Sequence, residues 1–282
     1  MSKLKQYTQE ELEKVKRVQL EILQEIIRLC NKYSLKWFTV AGTTIGAVRH
    51  NGFIPWDDDI DIGMLREDYD KFLEIAPKEL AKGYVLAHYS VDKKVPHYFA
   101  KVRKDNTLFV EESSRKIKMH HGIFVDIFPH DKVPEDIYEA RRHVKKMVRY
   151  NQLYINKSTT IPFNKANKYK YCINSCIKKI IKMFICGFSK EYFYTKLDKF
   201  VKKYNDTETE MVAPSGFAEF IAKKSDIFPT IKMKFEDIEV EVPNNYDAIL
   251  KQTYGNYMEL PPIEKRFNHA PIVLKFEEKT EK

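Results

Sequence analysis

Apolar positions recur at helical spacing from near the start of the chain. Thr8 followed by Glu11 has the spacing of a capping box, and Leu12, Val15, Ile22, Ile26 and Leu29 then mark one face, so residues 8–32 read as an amphipathic helix packed on a core. Trp37-Phe38-Thr39-Val40-Ala41 is rich in aromatic and β-branched residues and stops at Gly42, the pattern of a buried strand entering a tight turn. A short helix is expected over residues 43–50. Residues 60–63 read as a second strand, entered from a turn at 55–58, and residues 67–80 carry Tyr69, Phe72, Leu73 and Ala76 at helical spacing. Short strands are expected at 85–89, 98–103, 107–111 and 122–128, the last ended by Pro129. From residue 134 to about 205 the texture becomes Lys-rich and Tyr-rich helix. Beyond it, residues 238–242 alternate like a half-exposed strand, residues 246–254 read as a helix stopped at Gly255, and the last ten residues read as a frayed end.

With 282 residues, 43% of them hydrophobic, the chain has enough apolar surface for a sizeable core and is not disordered. No uninterrupted apolar run approaches the roughly 20 residues that cross a bilayer. The start also lacks the apolar stretch of a secretory signal, so the expectation is a cytoplasmic protein. Neither a repeat nor a Gly/Ser linker interrupts the pattern. The division that results is a core over 1–135, a basic helical insertion over 136–205, and a C-terminal segment over 206–282 that packs back on the core.

Four cysteines, Cys30, Cys172, Cys176 and Cys186, are too few for a disulfide framework in a chain this long; Cys172 and Cys176, one turn apart, are expected on a buried helix face. Charge changes the picture more. Residues 141–203 hold seventeen Lys and Arg against only Glu191 and Asp198, an excess of fifteen positive charges on a chain whose net charge is +9. An anionic surface is the implied partner, either nucleic acid or the phospholipid face of a membrane. Within that block Ile173, Ile177, Ile180, Ile181, Phe184 and Ile185 alternate with Lys178, Lys179 and Lys182. Two readings are open: a basic amphipathic helix at an anionic membrane surface, or a helix packed on the core with its lysines in water.

The densest chemical signal is Trp56-Asp57-Asp58-Asp59-Ile60-Asp61-Ile62-Gly63, four carboxylates within five positions beside large apolar groups. On a strand, Asp59 and Asp61 fall on one face, where their repulsion raises both pKa values unless a cation neutralises them. Oxygen-only ligands suit Mg2+ or Mn2+. The plainer alternative is an acidic surface turn or a helix-capping cluster. Gly42-Thr43-Thr44, between a strand and a helix start, has the place of a phosphate-holding turn. Asp126, inside the apolar run Phe124-Val125-Asp126-Ile127-Phe128, is costly to bury alone, so it either caps a nearby loop or faces the same metal.

The run from Ala41 to Gly63, AGTTIGAVRHNGFIPWDDDIDIG, resembles the signature of the LicD family of phosphocholine transferases. The likeness continues through Arg66-Glu67-Asp68-Tyr69, Lys101-Val102-Arg103, Phe124-Val125-Asp126-Ile127-Phe128-Pro129, Tyr254-Gly255-Asn256-Tyr257-Met258 and Leu260-Pro261-Pro262. It covers nearly the whole chain and is weakest between residues 140 and 205. The same core is similar to fukutin and fukutin-related protein.

The resemblance implies an α+β fold of the nucleotidyltransferase (DNA polymerase beta-like) type, a mixed sheet flanked by helices with a helical insertion, and a catalytic core over 1–135. It implies transfer of a phosphorylated alcohol from a CDP-linked donor, CDP-choline first among them, to a sugar hydroxyl of a cell-surface glycan such as teichoic acid or lipopolysaccharide, or of a lipid-linked glycan precursor, with CMP leaving. The turn here reads Gly42-Thr43 in place of Gly-Ser or Gly-Gly. Asp59, Asp61 and Asp126 are the expected Mg2+ or Mn2+ ligands and catalytic residues, with Asp126 as proton acceptor. Gly42, Thr43, Thr44, Arg49, Lys101 and Arg103 are expected on phosphate, Arg266 and His269 over the nucleotide, and Trp56 with Phe53 against a quaternary ammonium. Peripheral contact with an anionic membrane at the inner face of the cell membrane fits a lipid-linked acceptor. Two competing readings are a polymerase-like nucleotidyltransferase adding NMP to a nucleic acid or small acceptor, and a non-catalytic interaction protein; nucleic acid is the less favoured partner, because none of the usual RNA-binding modules is present.

Overall fold

The computed structural model describes residues 7–159, 168–216 and 220–276. The first helix, α1 (Gln9–Tyr33), is closed at its start by a two-way capping box: Glu11 N–H donates to Thr8 Oγ1 at 3.1 Å and Thr8 N–H donates to Glu11 Oε2 at 3.0 Å. There follow β1 (Phe38–Thr39), α2 (Ala41–His50), β2 (Asp61–Leu65), α3 (Arg66–Glu79), β3 (Tyr84–Ala87), β4 (Ala100–Lys104), β5 (Leu108–Val110) and β6 (Phe124–Lys132). The basic stretch supplies α4 (Ile137–Ser158), α5 (Lys168–Phe184) and α6 (Lys190–Val201). The remainder forms β7 (Met211–Pro214), β8 (Ala222–Lys223), α7 (Lys224–Ile227), β9 (Ile231–Phe235), β10 (Ile238–Val242), α8 (Tyr246–Tyr254) and β11 (Val273–Lys275).

The architecture is α+β. The main sheet is mixed and runs β1-β2-β6-β4-β3, with β7 also paired to β6 and β8 to β7. Among the described residues β2 and β6 are the one parallel pair, and the other neighbours in this sheet run antiparallel. Alternation sorts their side chains: Ile62, Met64, Val102, Val125 and Ile127 point into a core with Ile22, Ile26 and Leu29 of α1 and Phe72 of α3, which leaves Asp61, Lys101 and Asp126 on the opposite face. A buried ion pair ties helix to sheet. Arg66 at the start of α3 grips Asp131 of β6 through Nε at 2.8 Å and Nη2 at 2.6 Å, and Asn205 and Ser215 donate to the same carboxylate.

The Tyr-rich character of the basic stretch is explained by a second apolar cluster. Tyr89, Tyr98 and Val133 meet Val144, Met147 and Tyr154 of α4 and Phe193 and Leu197 of α6 there. Tyr89 stacks on Tyr194 at 4.1 Å, and Tyr154 donates to the Val95 carbonyl at 2.9 Å.

Four expectations are corrected. The strand expected to stop before Pro129 runs through it to Lys132. One edge of β6 pairs with β4 only as far as Ile127 and with β7 only from His130, so the missing N–H of Pro129 falls in the gap between those partners. The frayed tail is in part a strand, since β11 pairs antiparallel with β5; residues 277–282 lie outside the described residues. Cys176 is exposed rather than on a buried helix face, and the Cys172 side chain lies outside the description. The strand expected over residues 37–41 shrinks to Phe38–Thr39, because α2 already begins at Ala41. Among the described residues no helix is long and apolar enough to cross a membrane.

Candidate active site

Asp61, Asp126 and Lys101 form a row across three adjacent strands. Asp61 is the register partner of Asp126 in the parallel pair, and Lys101 is its register partner in the antiparallel pair. Lys101 Nζ lies 2.8 Å and 3.0 Å from the two Asp126 oxygens and only 3.4 Å from the centroid of the Phe124 ring. The ammonium is thus buried against a carboxylate and an aromatic face. Burial pushes the Asp126 carboxyl up to about 6 even though Lys101 pulls the other way, and the charges of Glu111 and Asp59 add to the rise. Asp59 belongs to the same electrostatic group: burial, reinforced by Asp57, pushes it up to about 7.

The consecutive aspartates divide their work. Asp57 approaches α2 so closely that a Cβ on Gly42 would stand 2.7 Å from Asp57 Oδ2, so a side chain there would displace that carboxylate. Asp58 turns into the protein, where its carboxylate accepts from the Tyr7 hydroxyl at 2.7 Å and from the His269 N–H at 2.8 Å. Gln19 Nε2 donates to its backbone carbonyl at 2.8 Å. The His269 ring bridges Asp58 and Asp59, with Nδ1 3.4 Å from an oxygen of each, and its pKa is raised to about 9, chiefly by its bond to Asp58. Neither Tyr7 nor the inward role of Asp58 was marked by any sequence pattern.

At the start of α2 the structure redistributes the expected roles. Thr43 Oγ1 accepts from the Asp61 N–H at 2.8 Å, and Thr44 Oγ1 donates to Thr39 at 3.0 Å, so both buried hydroxyls brace the strand–helix junction. The first-turn amides of Ala41, Gly42 and Thr43 precede any intrahelical carbonyl, and no side-chain cap from Val40 meets them. Ala41 takes a left-handed φ of 48°, a strained choice for a residue with a side chain.

Arg49 and Arg266 converge. Arg49 donates to the carbonyls of Tyr257 and Glu259, and burial together with the nearby Arg266 charge lowers its pKa. The Arg266 guanidinium stands 4.5 Å from the Trp56 ring centroid. Trp56, Arg266 and His269 line a cleft of about 640 Å3 with Tyr7, Glu111 and Phe267. Two expected residues face elsewhere. Arg103 is buried, donates to the Gly122 carbonyl at 2.7 Å and lies over Phe124 at 4.8 Å, so it braces β4 from inside. Phe53 is buried against Phe235 in the core. Conversely, Glu111 borders the cleft, and the charges of Lys101, His97 and Arg103 hold its carboxyl below the usual range despite burial. A larger cleft, about 720 Å3, lies at the far ends of β2 and β6 beside Leu65 and His130 and holds none of the expected residues.

Among the described residues no three His, Cys, Asp or Glu side chains stand as a ready-made metal cage. The donor chemistry nevertheless fits a hard divalent cation: Asp59 and Asp126 are buried carboxyls whose proton affinity is raised chiefly by loss of solvent and further by neighbouring carboxylates, and they offer only oxygen. An α+β protein with such an acidic row, an uncapped helix start and a guanidinium stacked over tryptophan has the parts for handling an anionic, phosphate-bearing ligand.

Comparison with known proteins is specific. The family described as LicD/FKTN/FKRP, nucleotidyltransferase domain, matches residues 34–172. Over 266 residues the chain is 30% identical to the lipopolysaccharide cholinephosphotransferase LicD of Haemophilus influenzae, across 89% of this chain and 92% of that protein. Shorter matches join it to an uncharacterized protein of Rickettsia prowazekii, 31% identical over 121 residues, and to one of Rickettsia typhi, 40% identical over 68 residues. These span 42% and 24% of this chain, and 41% and 22% of the two Rickettsia proteins. The chain belongs to the LicD family.

Proposed function

We propose that this protein is a transferase that moves a phospho-alcohol, phosphocholine first among the choices, from a CDP-linked donor to a sugar hydroxyl of a cell-surface glycan or its lipid-linked precursor. The supporting relative is named for transfer of cholinephosphate to lipopolysaccharide and aligns with nearly the whole chain. Lipopolysaccharide-type glycan is therefore preferred over teichoic acid as acceptor. The observation that carries the reading is the register row of Asp61 and Asp126, with Asp59 close enough to add to the burial-driven rise in the Asp126 pKa and to meet the ring of His269, which lines the cleft together with Trp56 and Arg266. The core is assigned to the nucleotidyltransferase type, and the reaction to the cytoplasmic side of the cell.

In this reading the acceptor oxygen attacks the donor phosphorus that bears the alcohol, the bond from that phosphorus to the bridging oxygen breaks, and CMP departs with that oxygen. Asp59, Asp61 and Asp126 would hold Mg2+ or Mn2+, which when bound would offset charge on the pyrophosphate oxygens. The first-turn amides of α2, Arg49 and Arg266 grip phosphate. Asp126, with a proton affinity near neutrality, accepts the hydroxyl proton, while Lys101 fixes its orientation. Trp56 supplies the aromatic face for a quaternary ammonium. The deciding experiment offers the protein a panel of CDP-linked alcohols and follows CMP release. Release from CDP-choline above the other donors supports the reading, and incorporation of nucleotide into RNA without CMP release would replace it by the polymerase-like alternative.

A further inference from the structure

The helix α5 (Lys168–Phe184) turns its apolar stripe away from the protein. Ile173, Ile177, Ile180 and Phe184, spaced four, three and four apart on one face, are 44%, 49%, 50% and 75% exposed, and Met183 and Phe188 extend the patch at 65% and 46%. The other face holds the helix down. Ile181 and Ile185 pack on the Tyr-rich cluster, Lys178 Nζ donates to Thr159 Oγ1 at 3.0 Å, and Lys182 Nζ reaches the Thr159 carbonyl at 3.5 Å. The arrangement is the reverse of an ordinary surface helix. Two lysines are spent on the protein's own oxygens while the isoleucines face water, and contiguous exposed apolar surface of this kind marks an interaction site.

We infer that α5 is a membrane-surface element, whose Ile173–Phe184 stripe seats in the headgroup and acyl boundary of an anionic bilayer. Charge complementarity selects that occupant. The stripe sits in the stretch 141–203, with its excess of fifteen positive charges, whereas the remainder of the chain is net negative by six. A second copy docked through this face would oppose two strongly basic blocks. Nucleic acid would satisfy the lysines, yet it has no apolar phase for aliphatic side chains. At about 1.5 Å per residue the helix is too short to span a bilayer, so it lies in the interface plane. The inference goes beyond the transferase reading and does not depend on it, since lipid binding is measured without turnover.

The test is flotation of the full chain with vesicles of phosphatidylcholine alone and of equal parts phosphatidylcholine and phosphatidylglycerol. The protein should float with the mixed vesicles, sink with the neutral ones and be released by high salt. The double variant Ile177→Glu/Ile180→Glu should lose at least about tenfold in floated fraction, through both lost apolar burial and added repulsion, with an unchanged circular dichroism spectrum. Wild-type protein that sinks with both vesicles overturns the inference, as does a double variant that floats like wild type. Dimerisation abolished by the double variant would reassign the stripe to a second copy, and salt-sensitive RNA binding without flotation would reassign the block to nucleic acid.

Discussion

Lys101 Nζ lies 2.8 Å from Asp126 Oδ1, with both residues buried and on adjacent strands of the central sheet. An ammonium and a carboxylate this far from water are costly singly and tolerable only as a pair, so removing one partner strands the other. Lys101→Met should lower unfolding stability by about 3–5 kcal/mol, Asp126→Asn by a comparable amount, and the double variant by clearly less than their sum. Urea unfolding of the four proteins in a double-mutant cycle measures this. Additive losses would show that the pair is not coupled.

Asp58 clasps two distant parts of the chain, Tyr7 and His269, over the cleft. Asp58→Ala leaves both donors unmatched, a loss of about 1–3 kcal/mol, and frees the strap around Arg266. Trypsin should then cut after Arg266 several times faster than in wild type, and the donor KM should rise about tenfold with a smaller change in kcat. An unchanged cleavage rate at Arg266 would exclude the clasp.

Burial lowers the pKa of His88, His130 and His143 to about 4. Between pH ~6.5 and ~4 the unfolded chain takes up protons that these rings refuse, so their contribution is complete above ~6.5 and is lost as the pH falls. Asp59 and Asp126, with raised values, act in the opposite sense, so the imidazole effect has to be isolated. His143→Phe, which keeps the contact with Phe200, removes one ring. Its urea midpoint should fall less than that of wild type between pH 7 and pH 5, and parallel falls would contradict the assignment.

Much of the site was legible because its parts are local. The capping box at Thr8 and the strand-to-helix junction around Gly42 are written within a few residues, and the structure keeps both. The expected alternation of Asp59 and Asp61 along one strand is corrected, because β2 begins at Asp61 and Asp59 lies in the loop before it, beside Asp57 and His269. What stayed hidden depends on distant partners. Nothing near Arg103 announces that it will be buried over Phe124, and nothing near Asp58 announces Tyr7 or His269. Pro129 misled because a proline ends a strand only where a neighbour needs its N–H, and β6 changes neighbours there. For α5 apolar and basic residues share the same turns, so the sequence does not say which side meets the protein. Contact of Lys178 and Lys182 with Thr159 and of Ile181 with the Tyr-rich cluster fixes that side, and two of the lysines expected in water are held there.

The central claim is that Asp61 and Asp126, paired in register beside Asp59, form the reacting centre. Asp61→Asn changes one charge and almost no volume. With CDP-choline and Mg2+, CMP release is expected to fall by at least about a thousandfold from wild type to Asp61→Asn, with the unfolding free energy from urea titration preserved to within about 1 kcal/mol. A folded Asp61→Asn protein that releases CMP at the wild-type rate would contradict the account.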